Sequence, residues 1–241
     1  MNCSRCCWSW ARRRLDYLLA VSGAEKLTPY YQEDGVTIYH GDFREVSADT
    51  WIASGVDVVI TDPPYGIGYR TPSSSKRPKS GMEVLGDKSP FDPSHLLSLK
   101  KPMGIFGANH FAARLPDSPG WIVWDKRYGM DSNDQSDAEL MWTNILGSVR
   151  IIRVMWNGGG SLLAENGPAR CIHPTQKPLA VMAPIVDMLS SLGHVVLDPY
   201  AGTGTTLVAA KSIGRRAIGV ELEERYCEIA AERLRQRVLD F

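Results

Sequence analysis

Long hydrophobic runs are missing from this chain, and so is any excess of charge of one sign. No apolar stretch approaches the roughly 20 residues that a membrane span needs, and the N-terminus lacks the apolar core of a secretory leader. The 27 basic and 27 acidic residues cancel, so bulk charge announces no nucleic-acid or membrane partner. Cysteine is scarce: Cys3, Cys6, Cys7, Cys171 and Cys227. Cys3 and Cys6 have zinc-like spacing, but no second pair and no paired histidines follow at ligand spacing, so no metal is expected. Nothing points to an oxidising compartment, which places the chain in the cytoplasm.

What is present is organisation. The 241 residues suffice for one large α/β domain. Residues 1–34 read as an N-terminal extension, partly disordered, with a Cys/Trp/Arg-rich start; residues 35–241 read as the domain itself. Strands are expected at GVTIYHGDF (35–43), at VDVVI (56–60), and at KPMGIFGAN, GWIVWDK and SVRIIRVMW. Leu179, Met182, Val186 and Leu189 are spaced 3, 4 and 3 apart, which predicts one face of a helix. From His194 the chain alternates strand, Gly-rich turn, helix, strand and helix, the pattern of a parallel sheet covered on both faces. Charge is also locally uneven. GIGYRTPSSSKRPKSG, residues 66–81, carries Arg70, Lys76, Arg77 and Lys79 with no acid, within a loop taken as 66–90. Such a run is a solvated loop or, beside a reactive site, a grip on phosphates.

Two stretches carry chemistry. In ITDPPYGIGY a β-branched strand ends in Asp62-Pro63-Pro64-Tyr65. The prolines end the ladder, because neither can donate a backbone hydrogen bond. They also stiffen the turn, fixing the Asp62 carboxylate, the Pro63 carbonyl and the Tyr65 ring around one point; a rigid turn with no further role is the plainer reading. In DPYAGTGTT, Gly202 and Gly204 let the backbone approach a ligand ahead of a helix N-terminus. Seventeen residues after Gly204, Glu221 ends the next strand, where an acid can accept hydrogen bonds from ribose hydroxyls. A dinucleotide fingerprint would want a third glycine where this chain has Leu207, and a P-loop would want Lys-Ser/Thr. S-adenosylmethionine fits better, its ammonium meeting Asp198 and its ribose Glu221 with no phosphate to cradle. A purely structural turn remains the alternative.

These two motifs, with HPTQKP (173–178) just before the second, resemble the DNA amino-methyltransferases of the β order, which methylate N6 of adenine or N4 of cytosine. The resemblance covers about residues 35–238. It implies a Rossmann-like, seven-stranded mixed sheet with a circularly permuted motif order, the catalytic strands preceding the cofactor strands. It implies that Asp62 and the Pro63 carbonyl accept hydrogen bonds from the target amine, with Pro64 fixing the turn, while Tyr65 stacks on the base. It implies S-adenosylmethionine contacts for Asp42, His173, Thr175, Lys177, Asp198, Tyr200, Gly202, Gly204, Thr205 and Glu221. Tyr200 stands where phenylalanine is usual. The segment of about 144–172 corresponds to a short target-recognition region.

The implied partner is double-stranded DNA, with no membrane and no metal; a homodimer and a restriction endonuclease partner are left open, as is a solitary enzyme of phage origin. An aspartate leading the tetrapeptide favours adenine, since serine is commoner in cytosine-N4 relatives. The alternatives are a cytosine-N4 enzyme or an inactive DNA- or cofactor-binding protein; RNA and protein-glutamine methyltransferases usually place the cofactor glycines first. Trp121, Trp124 and Trp142 are expected in the core, and His110 and His194 in structural roles. Asp131, Asp134, Asp137 and Glu139 read as a solvated acidic face or a helix start. The permuted order carries a geometric expectation. Ile38 and Val220 should lie on adjacent parallel strands, with Asp42 and Glu221 opening onto one pocket. The helix ending near Val238 should return to the segment around Tyr30–Gly35.

Overall fold

The computed structural model describes residues 28–69, 85–128, 130, 136–155 and 176–236. Its β-branched and aromatic runs form nine strands: β1 (Pro29–Glu33), β2 (Val36–His40), β3 (Val58–Thr61), β4 (Met103–Phe106), β5 (Trp121–Asp125), β6 (Ala138–Thr143), β7 (Arg150–Arg153), β8 (Val195–Asp198) and β9 (Arg216–Glu221). All lie in one sheet of order β1-β2-β9-β8-β3-β4-β6-β5-β7. The run from β2 to β4 is parallel throughout; β1, and β6 against both its neighbours, pair antiparallel, and β7 is parallel to β5.

Among the described residues the expected count of seven strands is therefore corrected to nine, and the two unread strands are β1 and β6. Pro29–Glu33, assigned to the extension, forms an edge hairpin with β2 across Asp34-Gly35. Both turn residues take positive φ, 48° and 80°, the conformation that a two-residue Asp-Gly hairpin favours. The Asp-Gly pair was the available signal. β6, AELMWT, was masked by the acids around it, yet its Met141 and Trp142 are buried.

Helices cover both faces. α1 (Ala48–Ala53) starts at Ser47, whose hydroxyl accepts from the Thr50 amide, an N-cap that satisfies an otherwise orphan donor. α2 (Ser94–Leu97) is a single turn. α3 (Leu179–Leu189) buries Met182, Val186 and Leu189, with Leu179 partly buried against the same core, as the spacing predicts. α4 (Thr205–Ser212) and α5 (Glu224–Arg235) follow the glycine turn and β9. Successive residues of one strand point to opposite faces. Accordingly Val58 and Ile60 join the core beneath α3, α4 and α5, whereas Val59 joins Trp51, Phe43 and Leu96 on the other side. Trp124 and Trp142 are core residues, one on each side, and Trp121 packs partly buried beside Trp142's cluster.

The permuted join closes as expected. Tyr39 pairs with Val220, Ile38 with Gly219 and His40 with Glu221, and the Gly41 amide donates to the Glu221 carbonyl at 2.9 Å. α5 ends at Arg235, whose guanidinium lies 5.3 Å from the centre of the Tyr31 ring; Val238 lies outside the described residues.

Candidate active site

Five adjacent parallel strands end on one edge of the sheet, and the chemistry-bearing residues sit at those ends. Asp62 follows β3, Asp198 ends β8, Glu221 ends β9, Asp42 follows β2, and Gly107 follows β4. Open α/β sheets bind ligands at the carboxyl ends of such strands. Pairing of β3 with β8 brings the two sequence motifs side by side, and the Thr61 hydroxyl donates to Asp198 Oδ1 at 2.7 Å across them.

Around Asp62 the side chains form a charged chain. Tyr65 Oη donates to Asp62 Oδ1 at 2.6 Å, and the Lys177 ammonium donates to Asp62 Oδ2 and, at 3.2 Å, to Tyr65 Oη. Lys177 also lies 3.1 Å from Glu139 Oε2, and Lys126 lies 2.5 Å from Glu139 Oε1. Its ammonium further sits 5.0 Å from the centre of the Phe106 ring. Burial alone would push the Lys177 ammonium down; Asp62 and then Glu139 outweigh it and hold its pKa above the ordinary value. Burial pushes the Asp62 carboxyl up, against the pull of Lys177. Burial also pulls Glu139 upward, but Lys177 and Lys126 together keep it below the usual range. Glu139 thus corrects the reading of the acidic run as a solvated face, while Asp137 pairs with Arg127 at 3.1 Å. Asp131 and Asp134 lie outside the described residues.

The loop after Asp62 is clamped from behind. The Asp87 carboxylate, 3% exposed, accepts the backbone amides of Gly66 (2.6 Å), Ile67 (3.3 Å) and Tyr69 (2.5 Å). The Tyr65 ring stacks on His110, centroids 5.2 Å apart and planes 17° from parallel. It also packs against Gly107, where a Cβ would fall 2.0 Å from the ring and where φ is 67°. Gly107 is therefore fixed both by contact and by conformation. Pro63 is buried and Pro64 half-buried beneath this turn.

The glycine turn joins β8 to α4. Gly202 and Gly204 take left-handed φ of 52° and 77°; a Cβ at Gly204 would collide with Ala230, whereas one at Gly202 would enter open space. Glu221 Oε2 accepts the Gly202 amide at 2.7 Å and Oε1 the Glu223 amide at 2.8 Å, so the acid shapes the turn it faces. Burial pushes the Glu221 carboxyl up, and it pushes Asp198, 2% exposed, up to about 6. Besides Thr61, Asp198 accepts the Tyr200 amide at 3.1 Å.

The remaining cofactor candidates have partners of their own. The Thr205 hydroxyl is held by Arg233 at 3.0 Å. The Tyr200 hydroxyl lies 2.8 Å from His95 Nε2. Asp42 accepts both nitrogens of an Arg44 fork and the Arg44 amide, and the Arg44 hydrogen bond is the main reason its carboxyl falls below the ordinary range. His173, Thr175, Arg70, Lys76, Arg77 and Lys79 lie outside the described residues, as does most of the segment 144–172.

These residues fit a cationic, hydroxyl-bearing ligand without phosphate. Asp198 and Glu221 supply acceptors beside an open glycine. Gln176, one residue before Lys177, is 6% exposed with both amide atoms unpartnered among the described residues. A buried amide without partners costs about 1–3 kcal/mol, and a polar ligand would remove that cost. Gln176, Glu139, Lys126 and Asp87 were not picked out as site residues from the sequence. Glu139 and Lys126 carry no motif, and each is recognisable only once β5 and β6 are paired. Among the described residues, no group of His, Cys, Asp and Glu is placed to hold a metal ion, and no helix is long and apolar enough to cross a membrane.

The chain is similar to known proteins over most of its length. Residues 164–232 match a family model described as DNA methylase. The type II methyltransferase M2.DpnII of Streptococcus pneumoniae is 33% identical over 256 residues, covering 86% of this chain and 92% of that protein. Among solved structures, the PvuII DNA methyltransferase (cytosine-N4-specific) aligns with a TM-score of 0.57 at 14% identity, covering 88% of this chain and 90% of that one. The M1.HpyAVI–SAM complex aligns with a TM-score of 0.51 at 24% identity, covering 82% and 99%. At these identities the two structures speak to the fold alone.

Proposed function

The chain belongs to the N6-adenine/N4-cytosine DNA methyltransferase family, and we propose that it methylates the exocyclic N6 amine of adenine in double-stranded DNA, using S-adenosylmethionine. The observation that carries this reading is the pairing of β3 with β8, which sets the acceptor turn at Asp62 beside the glycine turn after Asp198. When bound, S-adenosylmethionine supplies a methyl group already activated on a sulfonium. Asp198, Gly202 and Glu221 hold it, with Asp42, Tyr200, Gly204 and Thr205 in the surrounding wall and His173, Thr175 and Lys177 toward its carboxylate.

An exocyclic amine is a poor nucleophile because its lone pair is delocalised into the ring. Two acceptors aimed at its N–H bonds, Asp62 and the Pro63 carbonyl, favour the pyramidal geometry in which that lone pair can attack. The rigid Pro63-Pro64 turn keeps them in place, and the chain's main task is alignment of donor and acceptor. A base in a duplex must first be flipped out, at a cost of a few kcal/mol. Stacking on the Tyr65 ring offsets roughly 1–3 kcal/mol of that. Arg70, Lys76, Arg77 and Lys79 grip phosphates. Adenine is favoured because an aspartate leads the tetrapeptide.

Sequencing DNA from cells that express the chain, read for modified bases, tests the proposal. N6-methyladenine at a fixed site is the expected result. N4-methylcytosine would reassign the base, and unmodified DNA together with intact cofactor binding would leave a binding protein only.

A further inference from the structure

We propose that Glu139 is a positioning residue for methyl transfer: its carboxylate gives Lys177 a second anchor, so that Asp62 can turn from the ammonium to the target amine. This rests on the amine-methylation reading above. Ion pairing around Asp62 carries it. Attack by a neutral amine forms the N–C bond and breaks the S–C bond; the positive charge passes from sulfur to the amine nitrogen until that nitrogen releases a proton to solvent. Asp62 is the acceptor beside this nitrogen, yet its Oδ2 is in contact with the Lys177 ammonium. Asp62 and Lys177 alone would be a neutral pair, with a cation close to the place where a second one forms.

Glu139 supplies a second anion facing Lys177, and Lys126 beyond it brings the four charges to neutrality. Glu139 Oε2 lies 3.1 Å from Lys177 Nζ, an ion pair distinct from the ammonium's own contact with Asp62. Its Oε1 is paired with Lys126, which fixes the carboxylate in place. The side chains of Lys177 and Glu139 are 7% and 22% exposed, where Coulomb interactions are screened far less than at a free surface. Lys177 therefore has a second anchor, and it can shift from Asp62 toward Glu139 as the amine arrives without becoming an unpaired buried charge. Facing Asp62 from the surrounding elements are Lys177 ahead of α3, Glu139 on β6, Tyr65 in its own loop and Asp198 on β8, with His110 behind Tyr65 and Lys126 behind Glu139.

The test is steady-state methylation by Glu139→Gln across pH, with melting temperature recorded and the wild type run alongside. The amide keeps the shape and removes the charge. kcat should fall about 10- to 100-fold with the cofactor KM within about twofold. The acid limb of the kcat profile should move to lower pH, because Asp62 loses a negative neighbour that disfavours its ionisation. A merely structural role would leave that limb in place. Wild-type kcat, or a lowered kcat with an unmoved acid limb, overturns the assignment. Should Glu139→Gln fail to fold, Glu139→Asp decides: withdrawal of the carboxylate from Lys177 should lower kcat at least about fivefold, and a wild-type kcat overturns the proposal. Absence of DNA methylation by the wild type would strike the amine-methylation reading instead, so the two failures are distinguishable.

Discussion

The Thr61 hydroxyl donates a 2.7 Å hydrogen bond to the carboxylate of Asp198. The two residues are 137 positions apart and sit at the ends of adjacent strands, each one step from a functional turn. Thr61 precedes Asp62 directly, and Asp198 leads the glycine turn. A displacement of either turn is therefore transmitted to the other through one buried hydrogen bond, and donor and acceptor halves share a common floor.

Replacing Asp62 separates acceptor from cofactor chemistry. Asp62→Ala should lower kcat by about 10²- to 10³-fold or more, since it removes one of two preorganised acceptors. Calorimetry should find cofactor affinity within a few-fold of wild type. Wild-type turnover in this variant would refute the role given to Asp62.

Asp198 makes stability depend on pH with a definite sign. Its carboxyl rises from 3.8 to about 6 on folding because burial disfavours the charged form. The folded state therefore holds a proton that the unfolded state releases. That contribution is complete below pH 3.8 and is lost as pH rises through 6, amounting to about 3 kcal/mol by pH 7. Urea unfolding between pH 5 and 7.5 should show wild-type stability declining relative to Asp198→Asn over this window. Parallel curves would mean that Asp198 keeps its ordinary pKa.

Glu221 should matter twice. Glu221→Ala removes the acceptor assigned to the ribose and also strands the Gly202 and Glu223 amides. Each lost charge-assisted bond costs about 1–3 kcal/mol. Differential scanning fluorimetry should record a lower melting temperature without ligand and a smaller rise on adding S-adenosylmethionine. Stabilisation of the wild type by NAD rather than S-adenosylmethionine would return the glycine turn to the dinucleotide reading.

Asp87 should control the order of the loop behind Tyr65. Asp87→Ala leaves three backbone amides without their acceptor. Hydrogen exchange at Gly66, Ile67 and Tyr69 should accelerate by about tenfold or more, and stability should fall by about 2–4 kcal/mol. Unchanged exchange at these amides would show that the loop holds its shape without the clamp.

Neutralising Lys76, Arg77 and Lys79 together should weaken DNA binding and flatten its dependence on salt. The slope of log K against log salt should drop by up to about three, near one per phosphate contact. An unaltered slope would make the basic run a solvated linker.

Much of this molecule was decided locally. Asp62-Pro63-Pro64-Tyr65 needs only its own prolines to end a strand and stiffen a turn. Gly202 and Gly204 need only their missing side chains to take left-handed φ. The spacing of Leu179, Met182, Val186 and Leu189 determines which side of α3 faces the core. Even the pairing of β2 with β9 followed from the order of motifs, because a split cofactor site closes only one way in a parallel sheet. Tertiary structure alone decided the long-range charges. Glu139 stands in an acidic run that reads as solvated, and it becomes a buried ion-pair partner only because β6 is inserted antiparallel between β4 and β5. Lys126 and Lys177 then converge on it from segments 51 residues apart. Asp87, likewise, acts on amides 18 to 21 residues earlier. Periodicity and turn chemistry report on neighbours a few residues away. The balance of charge around Asp62 depends on which strands lie side by side, and no local pattern encodes that.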